Sequence, residues 1–140
     1  MKKHLILLSL FLIISCTQEE IESSCDQTVL IDSYAYINNE SSFFNINSVE
    51  IIDDCLSINF SSSGCSANSW QVNLIDSEAI LESFPAQRSL IFSLENKELC
   101  LAYITKDISF DISSLQLNNQ TSLLLNIENG ENDFQILYEY

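Results

Sequence analysis

The sequence predicts an all-β domain, an antiparallel β-sandwich of immunoglobulin-like or related type with about eight or nine strands. Three observations carry that expectation. Short runs rich in Ile, Leu, Val, Phe and Tyr recur about every ten residues between clusters of Asn, Asp and Ser. Several of these runs alternate apolar and polar residues, the period of a strand with one buried face. Cys25, Cys55, Cys65 and Cys100 follow an export leader and read as two disulfides stapling one small domain, with all three connectivities open.

The leader comes first in the chain. Lys2 and Lys3 precede the apolar run "LILLSLFLII", a basic start and hydrophobic stretch of the secretory type. A spanning helix needs about 20 apolar residues, so this run is too short to remain as an anchor. Its end, Ile13-Ile14-Ser15-Cys16, resembles the lipobox of bacterial lipoproteins. That resemblance implies a diacylglyceryl group on the thiol of Cys16, which becomes the first mature residue. The cysteine count agrees, because an odd thiol in an exported protein needs an explanation and lipidation of Cys16 leaves four. Glu19 and Glu20 in "TQEE" resemble the surface-export signals of some Gram-negative lipoproteins. They imply a lipid-anchored outer-membrane protein facing the cell exterior, with a periplasm-facing position as the alternative. The expected organisation is a signal peptide over residues 1–15, an acidic tether over 16–27 pinned at its far end by Cys25, and the sandwich over 28–140.

Within the domain, residues 29–37 and 43–52 are strand candidates, with Tyr34 and Tyr36 sharing a face. Leu56-Ser57-Ile58-Asn59-Phe60 and Trp70-Gln71-Val72-Asn73-Leu74 alternate most clearly, placing Trp70 in phase with a buried face. The polar loop between them contains Gly64, read as a turn residue with positive φ, and Cys65. Residues 80–84 read as a strand, or 78–84 as a short helix ended by Pro85. A turn at Asn96-Lys97 pairs Leu94 with Leu99, Phe92 with Leu101 and Leu90 with Tyr103. This hairpin puts Cys100 with Ser93 on the other face, open to a disulfide from the N-terminal segment. Residues 108–112 form another strand. Asn129-Gly130 is the strongest hairpin signal, setting Leu125 against Phe134 and Leu123 against Ile136.

Composition excludes several functions. Without residues 1–15, all 20 acidic residues remain against Arg88, Lys97 and Lys106, a formal charge of −17. Such a field repels phosphate backbones and anionic lipid surfaces, so no nucleic-acid partner is expected and the membrane is met only through the lipid. His4, the single histidine, belongs to the leader, which removes Ser-His-Asp and Cys-His catalysis and His-containing zinc sites. With Gly64 and Gly130 as the two glycines, no phosphate-cradling loop exists. The carboxylates at Asp53-Asp54, at Asp76 with Glu78, and at Glu128, Glu131 and Asp133 fall where turns are expected and read as solvated acids. The last group is a weak calcium candidate that lacks the Asp-x-Asp-x-Asp-Gly order. Trp70 and Arg88 are the candidate ligand contacts, although Trp70 fits a core position and Arg88 an internal ion pair. No catalytic residue, cofactor or structural metal is expected.

Gly64-Cys65, Trp70, "FPAQR" at Phe84 to Arg88, "ELC" at Glu98 to Cys100 and the ending "ILYEY" are similar to features of small, uncharacterised, acidic β-sandwich lipoproteins of Gram-negative bacteria. The resemblance implies an envelope location and carries no activity with it. The expected function is a non-enzymatic binding or structural module whose ligand is an envelope protein or a glycan. The alternative is a periplasmic inhibitor or accessory protein that binds a basic partner, resembling the small anionic lipoproteins that block lysozyme.

Overall fold

Leu56, Ile58 and Phe60 turn one side of their strand inward, and facing strands repeat the pattern to close a two-layer β-sandwich. The computed structural model describes residues 24–128 and 133–140. Its strands are β1 (Gln27–Thr28), β2 (Leu30–Ile31), β3 (Asn45–Ile52), β4 (Cys55–Gly64), β5 (Gln71–Leu81), β6 (Ala86–Glu95), β7 (Ala102–Asp111), β8 (Ser122–Glu128) and β9 (Phe134–Glu139). A short helix, α1 (Ser33–Ile37), follows β2, and a 3-10 turn spans Ser113–Leu115. One sheet has the order β1-β7-β4-β3 and the other β2-β5-β6-β8-β9. Neighbouring strands are antiparallel except for β1 with β7, β2 with β5 and β6 with β8.

Phe92 lies at the centre of the core. Its ring meets Phe60 at 4.9 Å, Phe44 at 5.1 Å and Phe110 at 6.2 Å between centroids, so both sheets contribute to one aromatic cluster. Leu56, Ile58, Leu74, Leu90 and Leu94 surround it, fully buried. Each such side chain contributes about 1.5–3 kcal/mol by leaving water.

Both disulfides act on β4. Cys55, its first residue, is bonded to Cys25 across 30 residues, and Cys65, immediately after its last residue, is bonded to Cys100 across 35. At about 3.3 Å per residue the two staples are roughly 30 Å apart, at opposite ends of one central strand. The N-terminal segment bridges the layers, since β1 adds to β7 and β2 to β5 with buried Val29 between them.

Four local expectations are corrected. Residues 29–37 do not form one strand, because Asp32 accepts the Ala35 N–H at 2.9 Å as a helix N-cap and α1 begins instead. The proposed β6–β7 hairpin does not form. Strand β6 pairs with β5 and β8, β7 pairs with β4, and the connection crosses from one sheet to the other. Apolar alternation marks Leu90, Phe92 and Leu94 for burial but does not name their partner. Leu99 and Leu101, assigned to that hairpin, remain 94% and 92% exposed. The C-terminal pair is shifted by two residues, Leu125 opposite Ile136 and Leu123 opposite Tyr138, a slip that keeps every side chain on its predicted face. The Asn129-Gly130 turn lies outside the described residues. Strand β5 runs through Leu81, so no helix forms over 78–84.

Candidate functional site

On one side of the sandwich the edges of β5 and β7 face each other with little between them. β2 covers β5 only at Ile75 and Asp76, and β1 covers β7 only at Phe110 and Asp111. The uncovered lengths border a cleft of about 320 Å³. Phe60, Trp70, Val72 and Ile108 form its apolar walls, and Asp26, Gln27, Lys106 and Asp107 its polar rim. Apolar walls with a few polar groups at the mouth are the usual make-up of a small-ligand site.

Trp70 is a half-buried wall of this cleft rather than a fully enclosed core residue. Its ring packs at 5.8 Å from Phe60, while its Nε1 is buried with no hydrogen-bond partner among the described residues. Lys106 occupies an inward phase on an edge strand, opposite Phe60. Its ammonium turns out to donate to the Ala67 carbonyl at 3.2 Å. An inward-pointing charge on a strand edge also hinders edge-to-edge pairing, which keeps the cleft open.

Glu98 fixes the loop above the cleft. Its Oε2 accepts the consecutive N–H groups of Cys65, Ser66 and Ala67 at 2.5, 3.0 and 3.1 Å, and Oε1 accepts the Ser69 hydroxyl at 2.8 Å. Successive amides converging on one oxygen make an anion nest, filled here by the chain's own carboxylate. The Ser66 amide and its neighbours hold the Glu98 carboxyl down at about 2. Gly64 is required by close approach rather than by positive φ, which occurs instead at Ala67 (φ 59°). A Cβ at Gly64 meets Glu98 Oε2 at 2.6 Å and the Trp70 ring at 2.9 Å.

Because the folded-state value lies below that of an unfolded glutamate, about 4.3, Glu98 contributes stability above that pH and loses it as pH falls toward about 2. Urea midpoints measured across this window are expected to fall less steeply for Glu98→Gln than for the native chain. Equal slopes would remove the nest from the account.

The other sequence candidates are dispersed. Arg88 is buried against Asp76, Nη1 to Oδ1 at 2.7 Å, and is not available to a ligand. Asp76 is correspondingly corrected from solvated turn acid to buried residue, and burial pushes its carboxyl above the usual range against the pull of Arg88. Asp53 and Asp54 occupy the β3–β4 turn, with Asp53 at φ 54°. Asp54 accepts hydrogen bonds from the Tyr138 hydroxyl and from Gln116, closing the Cys55 end of the sandwich. Tyr36 lies over the second sheet, its hydroxyl titration raised by burial and by a hydrogen bond to Glu128. Glu128 and Asp133 border a separate open hollow, and Glu131 lies outside the described residues. Among the described residues no group of three His, Cys, Asp or Glu side chains is placed to hold a metal. Cys16, Glu19 and Glu20 also lie outside the described residues.

Three arrangements escaped sequence reasoning: the Glu98 nest, the Asp54–Tyr138 bond and the burial of Asp76. The third had a signal, since Asp76 continues the inward phase of Val72 and Leu74. The first two join residues 31 to 84 positions apart, and no local pattern marks them.

No protein-family model matches the chain, and no curated protein matches it in sequence. Solved structures do resemble it. A DUF1344 protein of unknown function from Bacteroides vulgatus aligns with TM-score 0.54 and 16% identity, over 81% of this chain and 56% of its own. A toxin-related protein from Parabacteroides distasonis aligns with TM-score 0.58 and 19% identity, over 81% and 60%. A NigD-like immunity protein from Bacteroides caccae aligns with TM-score 0.57 and 6% identity, over 81% and 64%. The chain thus spans 56% to 64% of the length of these structures. At such identities the similarity is one of fold: this chain is a β-sandwich of the kind these three proteins contain.

Proposed function

We propose that this chain is a non-enzymatic binding module of the bacterial cell envelope, attached to the outer membrane through lipidated Cys16 and facing outward by virtue of Glu19 and Glu20. The observation that carries the binding reading is the open cleft between β5 and β7. Its apolar walls, and a rim offering Gln27 and Lys106, suit a glycan with one apolar ring face and hydroxyl groups at its edge. The carboxylates with displaced titration or buried bonds serve the fold instead: Asp76 binds Arg88, Glu98 fills the nest, Asp26 accepts from the Ser109 hydroxyl and N–H, and Asp54 holds Tyr138.

Trp70 is the chain's one tryptophan, so its emission reports this cleft directly. Titration with a panel of defined oligosaccharides is expected to give a saturable shift that Gln27→Ala and Lys106→Ala weaken. An emission unchanged by every sugar would sink the glycan reading. Anchoring is tested separately by labelling cells with palmitate, which should mark the native chain and not Cys16→Ser.

The charge favours a second reading, an inhibitor or accessory protein for a basic partner. Twenty acidic residues in a chain of 140 steer a cationic protein toward it, and such binding weakens steeply with salt. The fold shared with a NigD-like immunity protein is compatible with this role.

A further inference from the structure

At the Cys65 end of the sandwich four large apolar side chains stand in water. Leu99 is 94% exposed, Leu101 92%, Phe43 69% and Tyr103 61%. They converge from separate segments. Tyr103 is opposite Ser63 in the β4–β7 register, and its hydroxyl accepts from Asn45 at 2.8 Å. The Phe43 carbonyl accepts the Ser62 hydroxyl at 2.7 Å, which brings Phe43 to the same strand end. Leu99 and Leu101 flank Cys100, whose side chain turns back to Cys65, so the leucines project from the fold.

This end is also held still. Besides the disulfide and the Glu98 nest, Asn96 donates to the Ser63 carbonyl at 2.7 Å and accepts the Glu98 N–H at 2.9 Å. Ser42 Oγ accepts the Asn96 N–H at 3.0 Å. A loop with no internal hydrophobic reason to expose two leucines is thus fastened so that it must expose them. Preorganised apolar side chains lose little freedom when a partner covers them, which is the property of a binding hot spot.

We infer that the tip formed by Phe43, Leu99, Leu101 and Tyr103 is a docking surface for a partner protein whose face offers an apolar recess flanked by basic side chains. Charge selects this occupant. A second copy would bring together two chains of net charge −15 or below. An anionic lipid surface is disfavoured for the same reason, and the two lysines near this end are engaged within the chain, Lys97 with Glu95 and Lys106 with the Ala67 carbonyl. The chain's own N-terminal segment enters at the Cys55 end, roughly 30 Å away along β4. The inference rests neither on the cleft nor on the lipid anchor.

The test uses the full chain in cells, with a photoreactive amino acid at Leu99. Ile52, 59% exposed at the opposite end, is the control position. Illumination is expected to give one discrete protein adduct from Leu99 and none from Ile52. Its cross-linked peptide should lie beside lysines or arginines. With that partner purified, Leu101→Asp should raise Kd by about tenfold or more, and ~1 M salt, where the screening length is ~3 Å, should weaken binding further. Leu101 is almost wholly exposed, so an unchanged unfolding midpoint will show that the variant is folded. An adduct of twice the chain's mass, adducts only with lipid, equal adducts from both positions, no adduct, or binding indifferent to Leu101→Asp would each overturn the proposal.

Discussion

Replacing Asp76 by alanine is expected to destabilise the domain by about 3–5 kcal/mol, the usual result of stripping one partner from a buried ion pair. Asp76 is fully buried and Arg88 is 8% exposed, and both lie on the inner face of their sheet, in phase with Leu74 and with Leu90. Between them β5 bulges. Its register to β6 shifts between Asp76 and Ile80, and Glu78 takes φ 64° with its N–H on Asp76 Oδ1 at 2.9 Å. Removing the carboxylate leaves a guanidinium in the core and frees that turn. For a domain of this size the loss amounts to a fall in Tm of about 10–20 °C. A double replacement, Asp76→Leu with Arg88→Met, is expected to recover most of it, because the desolvation of both charges disappears together. The pair is also incompletely satisfied, with Asp76 Oδ2 and Arg88 Nε lacking partners among the described residues. Thermal and urea unfolding of the two singles and the double will decide. A double variant as unstable as the sum of the singles would mean zero coupling, each side chain supporting the fold independently of the other.

Removal of either disulfide as a serine pair is expected to lower stability by about 3.5–4 kcal/mol, from the chain entropy returned to the unfolded state by loops of 30 and 35 residues. The two losses act on opposite ends of β4. Cys25→Ser with Cys55→Ser should loosen the N-terminal segment while leaving Glu98 in its nest. Cys65→Ser with Cys100→Ser should additionally release the 96–101 connection and its exposed leucines. Together the losses approach the whole stability of an ordinary domain, about 5–15 kcal/mol, so the fully reduced chain is expected to unfold near growth temperature. Hydrogen exchange will show which end opens first in each variant. A loss below about 1 kcal/mol for either pair would indicate that the unfolded chain is already compact there.

The misassigned strand pairings have one physical origin. Alternation at Leu56, Ile58 and Phe60, or at Val72 and Leu74, reports which side chains leave water, because burial alone determines it. The same signal at Leu90, Phe92 and Leu94 was equally sound about burial, yet it paired β6 with the wrong strand. Several strands present apolar faces of similar quality, and only the closed sandwich satisfies all of them at once. The candidate site was legible in part for the same reason. Trp70 stood out as a single large aromatic, while the residues that make it a cleft wall come from β1, β4 and β7.

By itself the sequence determined an all-β sandwich, the cysteines committed to its disulfides and a strongly acidic net charge. These follow from composition, period and count, which need no partner to be known. Tertiary structure alone decided that Cys25 joins Cys55 and Cys65 joins Cys100, that Asp76 is buried beside Arg88, that Glu98 fills a nest, and that Leu99 and Leu101 remain in water. Each of these depends on contacts between residues distant in the chain, and such contacts exist only once two sheets have met.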